Sequence, residues 1–227
     1  MSFNRCKVDG ILAGAKLRMR TSEARGGQTT APTGSEKRNR SYERMGTMAT
    51  VNRHDYFRGA LDLLAKDGFG ALRLITLCRS IGMTTGSFYN WFQDWNDFVD
   101  QFLDFWEREL TERLVAEAKL NPDPWARLDQ LRVLAGTVPH EAEVALRAWS
   151  NADARAARVC SEVDVMRRKI IFDTVHSLVP DTELANHLAS LGLSIVVGQQ
   201  NIDPSNMNWS LGQFNALVRV HADASQL

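Results

Sequence analysis

An all-helical fold is what this chain predicts, and three observations carry that expectation. No stretch of its 227 residues alternates apolar and polar side chains long enough to argue for a sheet. Apolar residues return instead at helical spacings from Phe57 to Val220. Helix-ending or helix-opening residues, namely Gly68, Gly82, Pro122, Pro139, Pro180 and Pro204, fall between those periodic stretches.

Order is expected to begin near Val51, because residues 20–50 are rich in Thr, Ser, Gly and charge and carry no apolar period. Phe57, Ala60, Leu61 and Leu64 mark a first helix at i, i+3, i+4, i+7. Lys66 suits its negative end, Gly68 its left-handed cap, and Phe69 folds back onto its last turn. Leu74, Leu77 and Ile81 form one face of a second helix, which Gly82 ends. Met83 then plugs the corner, and Thr84 is placed to cap a third helix through its side-chain oxygen. Phe88 and Phe92, four apart, turn inward, leaving Thr84, Thr85, Ser87, Tyr89 and Asn90 on or near the outward side. Short polar groups at the start of an exposed second helix are what a helix-turn-helix presents to a major groove.

Asp94 opens a fourth helix with Asp97 in its first turn. Phe98, Phe102, Trp106, Leu110 and Leu114 repeat every four residues, widened by Val99 and Leu103, and Glu109 and Arg113 are placed to pair on the outer face. At about 24 residues it would run ~36 Å, a rigid link that Pro122 and Pro124 stop. Helical patterns follow from Trp125 to Leu134, from Pro139 through Trp149, and from Asn151 or Asp153 toward Val179. Asp181 or Thr182 caps the next, with Leu184, Leu188, Leu191 and Ile195 inward, and the last carries Trp209, Phe214, Leu217 and Val220.

Composition narrows the function classes. Three cysteines, Cys6, Cys78 and Cys160, are too few and too scattered for a disulfide framework or a metal knuckle, which fits a reducing, cytoplasmic setting. No apolar run approaches the ~20 residues of a membrane span. The formal net charge of zero hides an asymmetry: residues 1–53 hold 11 Lys and Arg against 4 Asp and Glu, and the remainder 16 against 23. Residues 1–50 therefore read as a disordered basic arm, either a solvated tail or a source of counterion-release affinity for nucleic acid, with Met45 and Met48 as possible later starts. No His-x-x-His or Glu-x-x-His group, paired cysteines or phosphate-cradling glycine loop is present, so no catalytic residue, cofactor or metal ligand is expected.

The residues Gly68-Phe69, Leu77-Cys78, Gly82-Met83, Gly86-Ser87-Phe88-Tyr89 and Phe92, followed by a long helix and a helical remainder, resemble the TetR family of one-component transcriptional repressors. The likeness covers roughly residues 53–100; a weaker one lies in Glu143–Trp149 with Asn151-Ala-Asp153. It implies a DNA-binding unit over residues 51–100 and an effector-binding and dimerisation domain over residues 101–227. By position it places Thr84, Thr85 and Ser87 at base edges or nearby phosphates, Tyr89 and Arg73 on phosphates, and Asn90 on either; Gly86 permits close approach. Two departures stand out: Trp95 occupies the position where the family commonly has a phosphate-contacting lysine, and Arg73 the position of its usual Thr or Ser. Residues 53–100 carry five basic and six acidic side chains, with Asp94, Asp97 and Asp100 at the helix end nearest a duplex.

The resemblance further implies a homodimer through the last two helices, around residues 184–200 and 207–220, where Gly192 and Gly198 would permit close approach. It also implies a near-palindromic double-stranded DNA operator and a small apolar or amphipathic effector. Trp106, Trp125, Trp149, His140 and His176 are candidates to line the effector pocket, the alternative for each being plain core or surface. Arg167-Arg168-Lys169 reads as a solvated helical face, with Asp164 and Arg168 paired along it. A helical ligand-binding or scaffolding dimer without DNA binding is the rival reading.

Overall fold

The computed structural model describes residues 51–225, and the basic arm expected over residues 1–50 lies outside them. Among the described residues there is no strand, and no helix is long and apolar enough to cross a membrane. Ten α-helices follow one another among these residues: α1 Arg53–Asp67, α2 Leu74–Ser80, α3 Thr85–Phe88, α4 Trp95–Glu107, α5 Arg113–Lys119, α6 Pro124–Ala135, α7 His140–Ser150, α8 Ala154–His176, α9 Thr182–Ile202 and α10 Met207–Ala224.

Local chemistry sets most of these boundaries. Gly68 takes φ 75° after α1, and its N–H donates to the Leu64 carbonyl at 3.0 Å. Gly82 takes φ 71° after α2, and the Met83 N–H reaches back to the Cys78 carbonyl at 2.7 Å, closing that helix end. Aspartates cap four later helices: Asp94 accepts from the Asp97 N–H, Asp123 from Trp125 and Ala126, Asp153 from Arg155 and Ala156, and Asp181 from Glu183 and Leu184.

Helices α1 to α4 close over an aromatic core. Tyr56 meets Phe88 and Phe92 edge-on at 5.7 and 5.5 Å, Phe88 and Phe92 lie 4.8 Å apart, and Phe98 stacks above Phe102. Edge-on and offset rings of this kind each add about 0.5–1.5 kcal/mol beyond the area they bury. Gly59 on α1 is buried where a Cβ would overlap the Ile81 side chain, so the glycine sets how closely α1 and the end of α2 approach. Helix α1 also packs along α7, which ties this small bundle to the rest of the chain.

The expected fourth helix is continuous in direction but not in type. A π-helical turn, Arg108–Glu112, separates α4 from α5. Wider i→i+5 closure rotates the residues beyond it relative to a plain helix. Glu109 and Arg113 accordingly form no ion pair among the described residues, contrary to the i, i+4 expectation.

The remaining helices pack around α8, which lies along α9, α7 and α6. Leu128, Val175, Val179, Leu188, Phe214 and Val218 form the main C-terminal core, with Trp125, Phe172 and Ile195 against its edge. On α9 the buried face is Ala185, Leu188, Ala189, Gly192 and Val196. Leu191 is turned outward, correcting the expectation of an inward side chain, because it sits about 60° off that stripe at ~100° per residue. Gly192 faces inward, not toward a second copy: a Cβ there would come within 3.0 Å of the Phe214 ring.

Candidate nucleic-acid interface and effector cavity

The second and third helices place the polar segment from Thr84 to Asn90 on the surface. Thr84 is extended (φ −89°, ψ 158°) and its Oγ1 accepts the Ser87 N–H at 3.1 Å, with the two hydroxyls 2.9 Å apart. Regular α-helix covers only Thr85–Phe88, and turns carry the chain on to Phe92. Phe88 and Phe92 are buried, as their spacing predicts, so Thr84, Thr85, Gly86, Tyr89 and Asn90 are exposed and Ser87 half-exposed. Tyr89 shows 54% of its surface and meets the Phe88 ring edge-on.

Arg73 precedes α2 in extended conformation (φ −138°) with its side chain exposed. It lines a surface cleft with Phe69, Trp95, Trp149, Asp153 and Arg155. Trp95 stacks on Phe88 at 6.1 Å and is half-buried in the aromatic core. The acidic residues beside this face are engaged. Asp94 accepts the Asp97 N–H at 2.9 Å while Asp97 accepts from the Gln93 N–H at 2.8 Å and Gln101 Nε2 at 2.7 Å. Those bonds, the Gln101 amide foremost, hold the Asp97 carboxyl below the ordinary aspartate value. Asp100 pairs with Arg155 at 3.2 Å.

The C-terminal helices line a half-open cavity of about 90 Å³ between α5, α6, α8, α9 and α10. Leu110, Leu114, Leu131, Ile170, Ile171, Leu193, Val196, Leu211 and Phe214 form its apolar wall, and Thr111, Arg132, Arg167 and Asn215 its polar points. None of the five residues expected to line a pocket borders this cavity. Trp106 is fully buried core; Trp125 covers the C-terminal core under Arg219, whose guanidinium sits 4.2 Å from its ring. Trp149 lines the Arg73 cleft instead, His140 opens α7, and His176 stacks on Phe172 with its Nε2 3.2 Å from the Thr182 hydroxyl. The cavity is aliphatic because it is the inner surface of helices whose stripes are Leu, Val and Ile.

Its polar end is a buried network that the sequence reading missed. Glu143 on α7 is fully buried and receives Arg167 in two parallel bonds, Nη2 to Oε1 at 2.6 Å and Nη1 to Oε2 at 2.8 Å. Gln200 Nε2 donates to the same carboxylate at 2.6 Å, and Arg167 Nη2 donates to the Thr111 hydroxyl, within the π-helical turn, at 3.2 Å. Burial pushes the Glu143 carboxyl up, but the Arg167 charge with the Arg167 and Gln200 bonds outweighs it and holds the group below the usual carboxylate range. Arg167 is thus not part of a solvated face, although Arg168 and Lys169 beside it are exposed. Asp164 pairs bidentately with Arg147 at 2.6 and 2.8 Å, not with Arg168. The missed signal was positional: Val163, Arg167, Ile170 and Thr174 share one helical stripe, as do Ala142, Glu143 and Leu146.

On α9 and α10 several large apolar side chains are left uncovered among the described residues. Leu191, Ile202, Trp209, Leu217 and Val220 are exposed, Trp209 by 63%, and Cβ atoms at Gly198 and Gly212 would meet nothing within 4 Å.

No protein-family model and no curated protein matches the sequence. Solved structures do. A transcriptional regulator from Rhodococcus sp. Rha1 shares 13% identity over 74% of this chain and 96% of its own, with a TM-score of 0.61. A TetR transcription regulator from Haloarcula marismortui shares 17% over 76% and 96%, TM-score 0.59. The transcriptional regulator FadR from Bacillus subtilis, in complex with stearoyl-CoA, shares 14% over 75% and 99%, TM-score 0.56. The chain therefore has the fold of the TetR-type regulators, as the motif in residues 53–100 led one to expect.

Proposed function

We propose that this protein is a non-enzymatic, DNA-binding transcriptional regulator, a homodimer that reads a near-palindromic operator and leaves it when a small molecule fills the C-terminal cavity. Residues 51–100 form the reading unit and residues 101–227 the sensing and dimerising one. The observation that carries this is the exposed run Thr84 to Asn90, fixed by the Thr84 cap and the inward Phe88 and Phe92 on the outside of a tightly packed small bundle. Thr85, Ser87 and Asn90 supply base-edge or phosphate hydrogen bonds; Tyr89 and Arg73 supply phosphate contacts, with Gly86 giving clearance. Pairing through α9 and α10 presents two such runs to successive major grooves, ~34–36 Å apart. The ligand acts by favouring the dimer whose spacing is wrong for the grooves. A fold neighbour described in complex with stearoyl-CoA supports a ligand role for the helical domain.

A helical ligand-binding dimer without DNA recognition is the second reading, favoured by the six acidic against five basic side chains of residues 53–100. One experiment separates them: a salt titration of binding to the DNA upstream of the protein's own coding region. Saturable retardation that survives competition by random duplex is expected of the regulator. Equal affinity for random duplex at low salt removes it and leaves the second reading.

A further inference from the structure

The cavity's own charge balance defines its ligand more narrowly. Two cations reach its wall, Arg167 and Arg132, and each already has a carboxylate. Arg167 is satisfied by fully buried Glu143, and Arg132 lies 3.5 Å from Asp129, its Nη1 donating to Asn208 Oδ1. Asp129 in turn accepts from Asn215 Nδ2 at 3.0 Å. Thr111 and Arg167 leave donor capacity without net charge at the polar end, and Gln200 Oε1 behind them is a buried acceptor with no partner among the described residues. Three bonds occupy the Arg167 guanidinium, which has five N–H donors, and the Thr111 hydroxyl accepts one of them while its own proton has no acceptor among the described residues.

We propose that the cavity selects a small uncharged molecule with an aliphatic body and one hydrogen-bond acceptor, a ketone, ester or lactone carbonyl, seated against Thr111 and Arg167. A carboxylate placed there would be desolvated beside a guanidinium already neutralised by Glu143, and an ammonium would be desolvated beside the remaining donors of that same guanidinium. The aliphatic wall of Leu114, Ile171, Val196 and Phe214 takes the body. Thr111 is the specificity residue: it lies in the π-helical turn between α4 and α5, where a carbonyl oxygen accepting its proton is read by the segment joining the small bundle to the cavity. The ligand's role in switching rests on the regulator reading; its chemical class does not.

Isothermal titration of the ligand-free full chain with 2-heptanone, heptanoate and heptylamine tests this, since the three share an aliphatic body and differ in head-group charge. The ketone is expected to bind saturably and at least tenfold more tightly than either ion. Thr111→Val should weaken the ketone about fivefold and leave heptanoate unmoved, whereas Thr111→Ser should restore the preference. Equal or tighter binding of an ion, binding of none of the three, or a Thr111→Val protein with undiminished ketone affinity overturns the assignment. Operator binding by ligand-free protein is measured separately, so a failed ligand class and a failed regulator reading give different results.

Discussion

Glu143 and Arg167 face each other through two parallel hydrogen bonds of 2.6 and 2.8 Å, and the glutamate has no solvent exposure at all. The pair joins α7 to α8, Gln200 adds α9, and Thr111 adds the π-helical turn. Because α7 also packs along α1, this one carboxylate links helices that line the cavity to a helix that packs on the small bundle.

Removing Glu143 strands a buried guanidinium, so Glu143→Gln should destabilise the fold by about 3–5 kcal/mol in urea denaturation at pH 7. The folded-state carboxyl is held below its ordinary value, so the unfolded chain binds the proton more readily. Its contribution is therefore complete above the unfolded glutamate value of ~4.3 and is lost as the pH falls through the lower folded value. The stability gap between wild type and Glu143→Gln should narrow below that pH. A gap that stays constant into acid means that the pair's charge is not what stabilises this junction.

The turn before α3 rests on two local devices, each separately testable. Gly82 has φ 71°, a conformation that costs an L residue with a Cβ roughly 1–2 kcal/mol, so Gly82→Ala should lower the unfolding free energy by that amount. Thr84→Ala removes the acceptor for the Ser87 N–H and should cost about 1 kcal/mol, while Thr84→Ser should be close to neutral. Chemical denaturation with far-UV circular dichroism reads all three. An unaltered Gly82→Ala protein would mean that the corner relaxes to another conformation.

These caps were legible because they are local. Thr84 and Asp94 announce their helices within three residues of sequence, Asp153 and Asp181 are the caps where the sequence leaves Asn151 and Thr182 equally open, and Phe88 and Phe92 fix the exposed face by spacing alone. The Arg167–Glu143 pair spans 24 positions and involves a third helix, so a basic run beside Arg168 and Lys169 hides it. The apolar repeat through Leu110 and Leu114 continues unbroken in sequence while the backbone inserts a π-helical turn between Glu107 and Arg113, which no local residue signal marks. Pocket candidates chosen as Trp and His missed the cavity for a related reason. Leu114 and Val196 line it with side chains indistinguishable in type from those that fill a core.

Tyr89 separates fold from recognition. The residue is 54% exposed and its ring meets one other ring among the described residues, so Tyr89→Phe should leave the unfolding midpoint unchanged. Loss of one phosphate hydrogen bond per half-site, about 1 kcal/mol each, should weaken operator binding by the dimer roughly thirtyfold in fluorescence anisotropy at fixed salt. Retained operator affinity would take Tyr89 off the DNA face.

Trp209 tests the remaining face. It is 63% exposed on α10, which further along also exposes Leu217, Val220 and the open backbone of Gly212, an apolar surface more easily reconciled with a second copy of the chain than with water. In a two-fold interface each substitution acts twice, so Trp209→Asp at about 2 kcal/mol per copy should weaken dimerisation about a thousandfold. Sedimentation equilibrium at micromolar protein should then report a monomer where the wild type is a dimer, with an unchanged far-UV spectrum because Trp209 contributes little to the protomer's own core. Operator affinity should fall with it, since a monomer holds only one half-site. A Trp209→Asp protein of unchanged mass, or a wild-type monomer, would show that α9 and α10 do not form the pairing surface, and the two-groove geometry built on them would have to be abandoned.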